Sequence, residues 1–82
     1  MNTVNALTIG TEIVRGHKVV RMKGSTWHSG SWVVLCEAPE GEHHGWVTWR
    51  VCAGTDGYVA ESGIYFPKDE YEQAFETYER RD

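Results

Sequence analysis

Residues 31–52 read SWVVLCEAPEGEHHGWVTWRVC, and they decide the fold. Residues 31–37 form a β-branched, aromatic run of strand length. Residues 45–52 alternate with period two and carry two Trp and two Val. Between them, residues 38–44 hold Pro39 and Gly41, the residues of a turn. The pair therefore predicts an antiparallel hairpin. A turn centred on Gly41 makes paired numbers sum to about 82, on the spacing of a short hairpin. Val33 is then expected opposite Trp49 and Leu35 opposite Val47. That register puts Trp32, Val34, Cys36, Trp46, Thr48 and Arg50 on the other face. A slip of one residue would exchange the faces of a strand.

Working outward, residues 58–66 (YVAESGIYF) are again strand-like, with Ser62-Gly63 expected to bulge or bend. Asp56-Gly57 suits a two-residue turn before them. Ala60, Ser62 and Ile64 are expected on the Trp49 face. Val59, Glu61 and Tyr65 are expected on the Trp46 face. Upstream, residues 7–14 and 18–23 flank Arg15-Gly16-His17, which reads as a tight turn with Gly16 at positive φ. An N-terminal hairpin over 7–23 follows. Residues 24–30 (GSTWHSG) are a loop by composition.

After Phe66 the period changes. Tyr71, Ala74, Phe75 and Tyr78 recur at i, i+3, i+4 and i+7, the stripe of a helix packed on one side. Pro67 suits a first helical turn, and Asp69 with Glu72 offers an alternative start. Acidic residues near the start and Arg80 and Arg81 near the end complement the helix dipole. The expected architecture is α+β: one domain over 1–82, an antiparallel four- or five-stranded sheet (hairpin 7–23, sheet 31–66), and one C-terminal helix over 67–81. The Trp49 face should receive Tyr71, Ala74 and Phe75. The N-terminal hairpin should fold over the Trp46 face.

Composition narrows the function. The chain has 82 residues, 8 Lys and Arg, 12 Asp and Glu, and a net charge of −4. That acidity argues against nucleic-acid binding through phosphate contacts. No apolar run approaches the ~20 residues of a membrane-spanning helix. The first residues, MNTVNALTI, lack the basic and apolar regions of a secretory signal, so a reducing cytoplasm is expected. Two cysteines, Cys36 and Cys52, are then free thiols, and their spacing matches no zinc motif. Charge is uneven. Residues 1–33 carry Arg15, Lys18, Arg21 and Lys23 against Glu12, while residues 34–82 carry four basic and eleven acidic groups. This reads either as two solvated faces or as a dipolar surface that steers a partner.

Enzyme motifs are absent. His17, His28, His43 and His44 fall in no metal-ligand spacing and read as surface-loop histidines. Cys36 with His44 would need an activating group and an open cleft to act as a nucleophile. No phosphate-binding glycine motif occurs, and no cofactor is expected. The remaining candidates form a contact surface: Trp27, Trp32, Trp46, Arg50 and Tyr65. Trp and Arg are the residues that most often anchor protein contacts. Trp27, in its Gly/Ser loop, reads equally as a plug on the sheet edge or as an exposed anchor.

The stretch GWVTWRVCAGTDGYVAESGIYF followed by PKDEYEQAFETYER, residues 45–80, resembles the tail of small accessory proteins of actinobacterial phages. The resemblance transfers no site residue. It implies an accessory protein acting in the host cytoplasm by binding a host protein. The leading expectation is thus a non-enzymatic protein-interaction module. The alternatives are an acidic nucleic-acid mimic, using Asp69, Glu70, Glu72, Glu76 and Glu79, and a self-associating structural component.

Overall fold

The structure, a computed structural model, describes residues 7–25, 30–54 and 57–81. Trp27, His28 and Asp56 lie outside them. Four strands and one helix follow in chain order: β1 (Lys18–Gly24), β2 (Ser31–Glu37), β3 (Trp46–Gly54), β4 (Gly57–Phe66) and α1 (Tyr71–Arg80). The strands form one antiparallel sheet in the order β1-β2-β3-β4. The α+β class is as the sequence implies.

Residues 7–14 do not supply a fifth strand. The expected tight turn forms, with Arg15 at φ 49°, Gly16 at φ 79° and the His17 amide donating to the Val14 carbonyl at 2.9 Å. Its upstream arm touches β1 only through an isolated Glu12–Lys18 bridge and a few backbone bonds, such as Gly10 N–H to the Val19 carbonyl at 2.8 Å. A second turn ends the pairing. The Thr11 amide bonds the Thr8 carbonyl at 3.1 Å, and Gly10 takes φ 95°. The chain bends there and lays Leu7, Ile13 and Val14 over the sheet.

The β2–β3 register differs by one residue from expectation. Val34 faces Trp49, Cys36 faces Val47 and Leu35 faces Thr48. The turn is responsible. The Ala38 amide bonds the Gly45 carbonyl at 2.9 Å, which places the turn's centre half a residue later than Gly41. β2 therefore reverses its faces relative to β3. Val34, Cys36, Val47, Trp49 and Val51 form one core with Leu7 and Val19, covered by the N-terminal segment. Val33 and Leu35 form the other with Ala74 and Tyr78 of α1, bordered by Val20, Trp46, Phe66, Tyr71 and Phe75. The helix thus packs on the Trp46 face and the N-terminal segment on the Trp49 face, the reverse of the expected arrangement. The continuous apolar run of β2 has its explanation here, because both of its faces are buried.

The bulge at Ser62-Gly63 is present. Pairing with β3 shifts between Arg50↔Glu61 and Thr48↔Ile64, and Ser62 has φ 59°. The extra residue reverses the facing of β4 beyond it. Tyr65 pairs with Val47 and lies on the Trp49 face, and Ile64 pairs with Thr48 and lies on the helix face. Both were expected on the opposite sides. Gly63 lies against the Trp49 indole, where a Cβ would come within 2.5 Å of Nε1. The bulge and the tryptophan are built around each other.

The helix is shorter than 67–81. Pro67 opens a turn, closed by the Glu70 amide on the Pro67 carbonyl at 3.0 Å, and α1 begins only at Tyr71. Arg81 terminates it by donating to the Thr48 carbonyl at 2.8 Å and the Ser62 carbonyl at 2.7 Å. Two basic residues of β1 flank its length. Arg21 lies 5.4 Å from the Phe75 ring centre, and Lys23 lies 4.9 Å from that of Tyr78 and donates to the Glu79 carbonyl at 2.9 Å. Basic and acidic segments meet at the helix instead of forming separate poles.

Candidate functional site

Of the five residues expected to share a contact surface, the four that are described lie on two faces of the sheet. Trp27 lies outside the described residues. Trp46 and Arg50 belong to the helix face. Trp46 is half-buried, packs on Tyr71 with ring centres 4.7 Å apart, and donates from Nε1 to the Lys68 carbonyl at 3.1 Å. Arg50 stands in register with Val33 and Glu61. Trp32 and Tyr65 belong to the other face. Trp32 packs edge-on to Tyr58 with ring centres 6.1 Å apart, at the margin of the Trp49 core. Tyr65 alone of the four is exposed, at 53 %. The register slip separates Trp32 from Trp46, and the bulge separates Tyr65 from Arg50.

A different constellation emerges around Tyr65. His17 and His44 meet with their Nε2 atoms 2.8 Å apart. His17 is 3 % exposed, so the expectation of a surface-loop histidine fails for it. Its Nδ1 lies 2.7 Å from the Val14 carbonyl, which only accepts, so Nδ1 carries the proton and Nε2 of neutral His17 is an acceptor. Nε2 of His44 must then be the donor. The rings lie within 10° of parallel, with centres 5.1 Å apart. That separation is about the N–N distance plus two ring radii, so the rings meet end to end. The pair is a linear hydrogen bond with no room for an ion between its nitrogens. Among the described residues no group of three or more His, Cys, Asp or Glu side chains is placed to hold a metal ion.

The surroundings complete a cleft of about 450 Å³ lined by Val14, Arg15, Glu42, Trp49, Ala60 and Tyr65 beside the two histidines. Trp49 meets the His17 ring edge-on at 5.1 Å, and Tyr65 meets the His44 ring edge-on at 4.8 Å. Glu42 Oε1 lies 4.0 Å from His44 Nδ1. Burial, and next the neighbouring His17, hold the His44 imidazole below its ordinary range, against a smaller pull from Glu42. The sequence gives no local sign of the pair, since His17 and His44 lie 27 positions apart. Only the N-terminal fold-back joins them.

The cysteines are chemically distinct. Cys36 is wholly buried in the Trp49 core, and burial pushes its thiol up to about 12. It cannot form a thiolate nucleophile with His44. Cys52, half-buried, lies on the helix face opposite Cys36, so the two thiols point away from each other. Both are free, as expected. A thiol reagent applied to the folded protein should therefore add one label, at Cys52, and a second only in denaturant. Two labels in the native state, counted by mass spectrometry, would contradict this burial.

A further exposed surface is at β4. Its N-terminal half, residues 57–61, forms an outer sheet edge, and Val59 is 50 % exposed. The opposite edge, at β1, is paired by residues 10–13 only at its start, at Lys18 and Val19. Among the described residues, no helix is long and apolar enough to cross a membrane. Comparison of the chain with protein-family models, with curated proteins and with solved structures gives no match.

Proposed function

We propose that the chain is a non-enzymatic protein-binding module whose β4 edge receives an extended segment of a partner protein. The observation that carries this reading is the contrast between the two edges. β1 is paired by the chain's own residues 10–13 at Lys18 and Val19 and beyond them carries Arg21 and Lys23, charged residues of the kind that blunt an edge, whereas β4 is, among the described residues, the outermost strand over 57–61 with Val59 exposed. Outward amides and carbonyls of an edge strand are a template for a further strand. Val59, half exposed on that segment, offers an apolar contact for the incoming chain.

A second copy is the alternative occupant: antiparallel self-pairing of residues 57–61 sets the two Val59 side chains opposite each other and Glu61 opposite Gly57. A nucleic-acid mimic is weaker, because Arg21 and Lys23 lie along the helix and interrupt its acidic surface. The resemblance of residues 45–80 to phage accessory proteins supports a host protein as the partner.

Peptides selected from a random displayed library against the full chain test the proposal. A selected peptide should shift the backbone amide resonances of residues 57–61, and Val59→Lys should weaken its binding by about tenfold or more. Shifts confined to α1, with binding abolished by reversing Glu72, Glu76 and Glu79 to Lys, would replace this reading with the mimic. A dimer in sedimentation that Val59→Lys dissociates would replace it with self-association.

A further inference from the structure

We propose that the His17–His44 pair is an acid-sensitive latch that holds the N-terminal segment against the sheet. The pair joins two parts of the chain that otherwise lie side by side at Gly16 and Pro39. His17 closes the turn that follows Leu7, Ile13 and Val14, and His44 belongs to the loop between β2 and β3. Their hydrogen bond is a side-chain link from that segment to the loop, 27 positions away.

The proton inventory of the link is fixed by geometry. With both rings neutral, His17 donates from Nδ1 to the Val14 carbonyl and accepts at Nε2 from His44. One further proton has a place to go. His44 Nδ1 faces Glu42 Oε1 at 4.0 Å, so a proton there leaves the link intact. A second proton has none. Only Nε2 of His17 is vacant, and protonating it sets two N–H donors head to head across 2.8 Å. The doubly charged pair must part.

The neighbours that face the pair are Arg15 from the turn, Glu42 and His43 from the β2–β3 loop, and Tyr65 from β4, while β3 contributes the uncharged Trp49. Glu42 favours a first charge on His44. Burial first, then His17, and more weakly His43 oppose it, so the folded protein resists taking up protons that the unfolded chain accepts. A histidine held below its ordinary range binds fewer protons in the folded state. Its contribution to stability is therefore complete above about pH 6.5 and falls as the solution is acidified through the depressed value. The first proton leaves the link in place and the second breaks it, so with further acid the loss falls on the contact that docks the segment. Opening the latch would bare the Trp49 face beneath Leu7, Ile13 and Val14.

Amide hydrogen exchange of the full chain between about pH 7 and about pH 4.5, corrected for intrinsic exchange rates, tests this against His44→Gln. The Gln amide does not titrate, and it presents its NH2 to a neutral His17 Nε2 or its oxygen to a protonated one, so its link survives acid. In the wild type, residues 7–17 should lose protection by about tenfold or more across this range, while β2 and β3 keep theirs. In His44→Gln the loss should vanish. An equal loss in the variant, or a loss uniform over the whole wild-type chain, would overturn the proposal. Nitrogen-15 spectra of the wild-type imidazoles give a second reading that needs no variant. At neutral pH His17 should carry its proton on Nδ1 and His44 on Nε2. The same tautomer for both, or a charged ring at neutral pH, would also overturn it.

Discussion

Trp49→Ala should destabilise the protein by about 3–5 kcal/mol, the range for removing a large buried aromatic. Trp49 is 5 % exposed, and its indole lies at the junction of three elements. It packs in the core with Val34, Val47 and Val51, meets His17 and Tyr65 edge-on, and rests against Gly63 in the bulge. None of these neighbours can move into the space, because strand pairing fixes the valines and the bulge fixes Gly63. Small domains hold only about 5–15 kcal/mol in total, so the variant should lie near the threshold of folding. Urea denaturation measures the loss. An unchanged midpoint would mean that the Trp49 face is not a core.

The second large effect is expected on the other face. Leu35→Ala should cost about 2–5 kcal/mol. Leu35 is wholly buried, and with Val33 it forms the floor on which Ala74 and Tyr78 of α1 rest. Ala74 has no length with which to fill the void. The same denaturation measurement applies, with Val59→Ala as a reference. Val59 is 50 % exposed, so that change should stay within about 0.5 kcal/mol. The two core variants also differ in what they loosen. Trp49→Ala should raise hydrogen exchange first in residues 7–17, and Leu35→Ala first in α1. The reverse assignment would show that the two faces have been exchanged.

Elements were legible in the sequence where one periodicity dominated. Tyr71, Ala74, Phe75 and Tyr78 announce the helix, and all four lie at its interface with the sheet. Ser62-Gly63 announces the bulge through a residue pair that suits positive φ and close approach. Relations between elements were less legible. Residues 31–37 are apolar without a gap, so their pattern is compatible with either register, and the single backbone bond between Ala38 and Gly45 settles it. The continuous run itself was a sign that both faces of β2 are covered. The facing of Tyr65 depends on how many residues the bulge absorbs, which composition does not specify. His17 and His44 were visible only as separate loop residues. Their meeting depends on the fold-back of a segment whose β-branched sequence reads as a strand.

The strand order has a consequence for how the chain reaches this state. Each strand pairs only with its neighbour in sequence, and α1 closes over β2 and β3 from a short distance downstream. No native pairing requires a long loop to close before contacts repay the entropy of closure. Contact order is correspondingly low for a sheet protein, and such topologies fold towards the faster end of their class. The hairpins are able to zip up one after another, with the helix and the histidine-bound N-terminal segment settling on opposite sides of a sheet already formed.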